Sequence, residues 1–294
     1  DLENRTDSNE RMIRTGLRKM NRNSLFSTIA AAVALVALPH AAQAGTFDVK
    51  GAEVDNGLRE AEFNSSFFRG YPVNAEQVRH SWEAAAGYGF TDQFKGGIKL
   101  GLDKPIGDDF RASTAGIEGL LLLKKFENGF GLAWFAGTDV RIADDETNTL
   151  TIGPVLHFGT EKTVFLFNPF FEKTYGRNRE EGVAFSYAWA AKTVVRENFS
   201  VGIEGYGSIP HIGDAPGTAF QEHRIGPVIY LERELGGHGH GRAGGRSFSI
   251  KDANPAKDET GRAAPKLSVE TGVLFGLTAA TQDVTVKFKA GIAW

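Results

Sequence analysis

The sequence predicts an all-β chain, an antiparallel transmembrane β-barrel of about 12 strands, with 14 as the alternative count. Three observations point there. Apolar and polar residues alternate with period two in stretch after stretch of the last four-fifths of the chain. The stretches run to about 10–14 residues, enough to cross a bilayer at a tilt, whereas soluble strands average about 5–6. The composition, with 36 Gly, 22 Phe and no Cys, fits strands separated by turns better than a helical enzyme.

The chain opens on a segment to be set apart from the fold. Residues 12–44 read as a secretory signal peptide. Arg14, Arg18, Lys19 and Arg22 form a basic start, Leu25 to Leu38 an apolar stretch, and Ala42-Gln43-Ala44 a small-residue cleavage pattern. A membrane anchor would need about 20 apolar residues, and this stretch is shorter and stopped by Pro39. Residues 1–44 are therefore expected to be upstream sequence plus a cleaved leader, and 45–294 a single barrel domain. A formal charge of −3 without a basic block gives no sign of nucleic-acid binding. Lack of Cys means no disulfide framework and argues against a thiol-linked lipid anchor.

Twelve strands are expected near 58–69, 79–90, 94–105, 111–124, 129–141, 147–159, 163–175, 182–195, 199–209, 222–233, 265–277 and 283–294. The second sets Trp82, Ala84, Ala86 and Tyr88 against Ser81, Glu83, Ala85 and Gly87; the third sets Ile98 and Leu100 against Lys99 and Gly101. The fifth, ninth and eleventh repeat the pattern, whereas the first, fourth and seventh alternate poorly. Short turns ("TDQ", "KFENG", "TEK", "REN") alternate with longer, charged connections. An even strand count puts both termini on one side. The exception is the Gly/His-rich stretch 234–264, either a flexible loop or the site of an extra strand pair.

A soluble sandwich with its apolar side inward and a barrel with its apolar side outward share this alternation. Strand length favours the barrel. So does the second face, rich in Gly and Ala as a crowded barrel interior requires. Aromatic residues beside the short turns (Phe90 and Phe94, Phe126 and Phe130, Phe199) suit an interfacial girdle. The chain ends on "VKFKAGIAW". This end resembles the C-terminal strand of bacterial outer-membrane β-barrel proteins, which close on Phe or Trp with apolar residues at alternate preceding positions. The resemblance extends to uncharacterised porin-like barrels. It implies an outer-membrane location, a lipid bilayer as surroundings, and an assembly machinery that reads Phe288, Ile292 and Trp294. It implies no cofactor and names no solute.

The face opposite the apolar one carries both charge signs. The expected lumen-facing residues are Glu62, Glu83, Lys95, Lys99, Asp139, Arg141, Lys192, Glu204, Glu270, Lys287 and Lys289, with Glu60, Glu118 and Arg79 as further members. Two readings stay open: cross-strand pairs that brace a filled barrel, or a polar lumen that passes small solutes. Lys287 and Lys289 are expected near Glu60 and Glu62 where the last strand meets the first. The small inner residues favour a narrow open path; no long loop is an obvious constriction loop, although 210–221 could fold inward. The expected function is a narrow passive channel for small solutes. The alternatives are a structural or adhesive barrel and an outer-membrane lipid hydrolase. The hydrolase finds only His80-Ser81, adjacent strand residues that point to opposite faces. His238 and His240 in "GGHGHGR" could hold a metal, but a solvated loop is the simpler reading, as it is for "ADDE" and "NREE".

Overall fold

A computed structural model describes residues 47–70, 78–127, 129–142, 147–160, 162–235 and 265–294. The expected leader, "ADDE" and most of the 234–264 stretch, including His238 and His240, lie outside the described residues.

Twelve antiparallel strands form one closed barrel: β1 (Arg59–Arg69), β2 (Val78–Gly89), β3 (Phe94–Pro105), β4 (Arg111–Glu127), β5 (Phe130–Arg141), β6 (Asn148–Gly159), β7 (Thr163–Tyr175), β8 (Ala184–Arg196), β9 (Phe199–Ile209), β10 (Glu222–Glu234), β11 (Lys266–Gly276) and β12 (Val284–Ala293). Each pairs with its sequence neighbours, and β12 pairs with β1 in a register that sets Phe63 opposite Ala290 and Ser65 opposite Phe288. The expected boundaries agree to within three residues. Strand β10 pairs directly with β11, so the wall holds twelve strands and not fourteen. Strands of 11–13 residues, rising about 3.3 Å per residue and tilted by about 40°, span about 28–33 Å.

Closure leaves no unpaired edge, and a period of two sends alternate side chains to opposite sides of the wall. Phe63, Ile98, Ile117, Trp134, Ile203 and Phe288 are all exposed on the outside. The sides the strands turn inward carry Ser66, Asp103, Glu204, Arg224, Lys287 and Lys289, all buried. The tight turns gather at the end where β1 begins and β12 finishes. The turn into β9 takes Asn198 through the left-handed region (φ 64) and the turn into β5 uses Gly129 (φ 85), both at the end of two-residue reversals.

The structure departs from the sequence reading in how the interior is filled. Among the described residues, two apolar clusters lie inside the wall. One joins Leu120, Leu122, Ala133, Phe135 and Val155 of β4–β6; the other joins Ala188, Tyr206, Val228, Tyr230 and Leu274 of β8–β11. Phe126, expected in the girdle, is buried and stacks on His157 with ring centroids 3.9 Å apart. The register slips in β4 between Leu122 and Glu127, and such a slip changes which residues face inward. A similar slip at the start of β2 leaves Arg79 exposed. Phe90 and Phe94 do sit outside, stacked at 5.8 Å beside their turn.

Candidate functional site: the barrel interior

The site begins with residues that precede the first strand. Residues 47–57 turn in at the end of the barrel that carries the tight turns and run along its interior. The turn is fixed by backbone bonds: Leu58 N–H donates to Asp55 O, Gly57 N–H to Gly89 O, and Gly89 N–H to Leu58 O. Beyond it the segment bridges opposite walls. Ala52 and Val54 complete the β4–β6 cluster, while Phe47 and Val49 pack on the β8–β11 cluster. The Phe47 ring lies edge-on to Tyr206 at 5.0 Å, with the Arg224 guanidinium 4.4 Å from its centre.

Polar groups seat the same segment. Asn168 of β7 holds the Lys50 backbone at both ends: Lys50 N–H donates to Oδ1 (2.7 Å) and Asn168 Nδ2 donates to Lys50 O (3.0 Å). The Lys50 ammonium meets Glu118 of β4 at 3.1 Å, and Asp48 meets Lys289 of β12 at 2.8 Å. The sequence reading assigned no role to this stretch. The available signal was the alternation of Phe47 and Val49 with Asp48 and Lys50, which continues the two-faced pattern upstream of β1.

Most of the sequence-predicted residues meet one another inside. Lys99 bonds Asp139 at 3.0 Å and lies 3.8 Å from Glu83, and Asn64 Nδ2 donates to Glu83 at 3.3 Å. Lys192 of β8 and Lys266 of β11 share Glu232 of β10, at 3.1 and 2.8 Å. Lys289 meets Glu62 at 3.2 Å, so this pair spans the β1–β12 seam as expected. Its companion does not: Glu60 pairs with Lys95 of β3 at 3.1 Å, and Lys287 reaches Glu204 of β9 at 2.6 Å and Glu270 at 3.5 Å. Arg141 sits half-buried at the far end of β5, its backbone N–H donating to Asn148. Phe288 is exposed on the outer wall, and Trp294 exchanges two backbone bonds with Arg59 (2.9 and 3.0 Å).

The Lys287–Glu204 pair is shut away from water. Both side chains are 1% exposed. Tyr206 and Tyr230 hydroxyls donate to the two Glu204 oxygens, each at 2.6 Å, so the carboxylate is fully engaged. A buried ion pair of this kind persists because further hydrogen bonds replace lost water.

Among the described residues, three spaces border the segment. One of about 180 Å³ lies beyond Phe47, bordered by Glu172, Ser186, Glu222 and Arg224. One of about 120 Å³ lies beside Asp48–Gly51. The third, about 260 Å³, opens near Asp55, where Glu53, Asp55, Glu60, Glu62, Glu232, Glu234 and Glu270 outnumber Lys95, Lys266 and Lys289. The connection at 210–221 forms two short 3-10 turns whose Ile212 and Phe220 are exposed, so the narrowing comes from the N-terminal segment. The hydrolase pair is parted: Ser81 Oγ donates inward to Asp103, while His80 packs on Phe67 and Phe110.

The closed wall, greasy outside and charged inside, decides the architecture. The chain is a twelve-stranded β-barrel built like those of outer membranes. No family model and no curated protein matches its sequence. Among solved structures it is similar to the NanC porin (TM-score 0.49, 7% identity, 80% of this chain and 98% of that one). It is also similar to the KdgM porin in complex with disordered oligogalacturonate (0.42, 10%, 80% and 98%). A third is the translocator domain of the autotransporter NalP from Neisseria meningitidis (0.44, 7%, 93% and 97%).

Proposed function

We propose that this barrel is a narrow passive channel for small solutes in a bacterial outer membrane, with a preference for cations. The observation that carries the reading is the pairing of an apolar outer belt with a charged interior that retains solvent-sized spaces. A continuous apolar belt of this extent is unstable against water and calls for lipid. Charges lining a water-filled path set which ions enter it. The excess of carboxylates near Asp55 supports the cation preference.

Refolded protein in planar bilayers tests this. Discrete conductance steps are expected, and under a potassium chloride gradient the reversal potential takes the sign of a cation-preferring pore. Silence from a correctly folded barrel, both with and without residues 47–54, overturns the channel. An anion-preferring potential overturns the selectivity. The segment at 47–57, which fills part of the interior, favours a second reading, a structural or adhesive barrel without transport. Silence is what that reading expects.

A further inference from the structure

The N-terminal segment is held inside the barrel but takes no place in its wall. The twelve-strand ladder closes without it, and residues 47–50 belong to no strand. Its grip comes instead from side chains on several separate strands: Asn168 (β7) on its backbone, Lys289 (β12) on Asp48, Glu118 (β4) on Lys50, and Arg224 (β10) and Tyr206 (β9) on Phe47. The Asn168 amide offers a peptide backbone one acceptor and one donor, as a neighbouring strand would. The flanking contacts read a carboxylate, an ammonium and an aromatic ring in that neighbourhood. This is a seat complementary to one extended peptide.

The same segment partitions the interior. Lys50 borders both the 180 Å³ and the 120 Å³ spaces, and Gly51 borders both the 120 Å³ and the 260 Å³ spaces. Withdrawing residues 47–54 joins them without breaking a wall hydrogen bond, because these residues contribute none to the ladder.

We propose that the barrel interior is a receptor for an extended peptide strand, that residues 47–54 are its resident occupant, and that their release opens the pore. The opening rests on the channel reading above; the seat does not. The experiment compares the full chain with a variant lacking residues 47–54, both reconstituted in planar bilayers. A synthetic peptide of residues 47–56 and a scrambled control are then added to the deletion variant. Deletion raises unit conductance several-fold, and the matching peptide alone returns it to the level of the full chain. Fluorescence anisotropy of the labelled peptide on the deletion variant separates the two parts. A silent barrel that still binds the peptide overturns the channel reading; a conducting barrel that ignores it overturns the seat.

A second measurement covers a deletion variant that fails to fold. The chain has no Cys, so Asp48→Cys with Lys289→Cys in the full chain makes a unique thiol pair. Joined by a short bifunctional thiosulfonate, the pair holds the low-conductance level, and a reductant releases it. Identical currents before and after reduction overturn the proposal.

Discussion

At the scale of single residues, burial decides how much an ion pair matters. Lys287 and Glu204 are shut away from solvent, and removing one partner strands the other. Lys287→Met is expected to destabilise the barrel by about 3–5 kcal/mol. Lys287→Met with Glu204→Leu together should recover part of that loss, because the most deeply buried charge leaves with its partner, while Glu270 and the Tyr206 and Tyr230 hydroxyls lose theirs. Denaturant unfolding from lipid vesicles, followed by tryptophan fluorescence, measures both. Lys95 and Glu60 make an equally direct bridge, but each keeps about a quarter or more of its side-chain exposure. Water screens them, and Lys95→Met is expected to cost no more than about 1 kcal/mol. Asp55 gives the proposed selectivity a pH dependence. Partial burial pushes its carboxyl above the usual carboxylate value, against the pull of Lys125. It is therefore neutralised at a higher pH than a free aspartate, and cation preference should weaken with acidification as this group loses its charge. Reversal potentials measured at stepped pH check the direction; a preference that strengthens in acid contradicts the assignment.

At the scale of one element, β12 performs two tasks with its two faces. Its inner face sends Lys287 and Lys289 to partners on β9, β11, β1 and the N-terminal segment. Its outer face presents Val286 and Phe288. Placing a cation among acyl chains costs about 2–4 kcal/mol near the bilayer centre and little near the interface. Phe288→Arg, at mid-strand, should lose stability in that range, whereas Leu267→Arg, near the end of β11, should lose clearly less. The same vesicle unfolding assay ranks them, and equal losses would argue against the outer face meeting lipid. Trp294 lies just past the last ladder residue, and its backbone continues the seam to Arg59. Its proposed role as an assembly signal predicts that Trp294→Ala lowers the yield of heat-modifiable barrel in cells far more than it lowers stability of barrel refolded in detergent. Equal effects in both would reduce the residue to a packing role.

At the scale of the whole molecule, closure and filling are separate matters. Twelve strands enclose more room than their own inner side chains occupy, whereas about eight make a barrel that side chains can fill. Here two inward apolar clusters narrow that room from opposite walls, and the segment at 47–57 spans between them. Burying Val54 and its neighbours offsets the loss of chain freedom, at about 1.5–3 kcal/mol for a fully buried Val or Phe. Asn168→Ala removes both bonds to the Lys50 backbone and leaves the wall intact. It is expected to raise the fraction of time spent in larger conductance levels, measured in long single-channel records. A record indistinguishable from the unmodified chain would show that the clamp does not hold the segment.

Strand positions were legible because the signal is local. A strand that borders lipid on one side and a charged interior on the other must alternate, so Ile98 and Lys99, or Phe288 and Lys289, announce their faces from adjacent places in the chain. Reading failed where the period slipped, as at Phe126 behind the irregular register of β4, and where an inward apolar residue broke the small-and-charged pattern, as at Phe135. Ion-pair partners were only partly legible. Lys289 and Glu62 follow from the closing seam, but whether Lys287 reaches Glu204 depends on tilt and on what else fills the interior. Sequence by itself determined most of the wall: its strand positions, its two faces and the join between its ends, because each follows from a period of two and a bilayer's thickness; twelve strands instead of fourteen was decided by the direct pairing of β10 with β11. Only the tertiary structure decided what stands inside, because the segment at 47–57 is held by residues from distant strands that no local pattern connects.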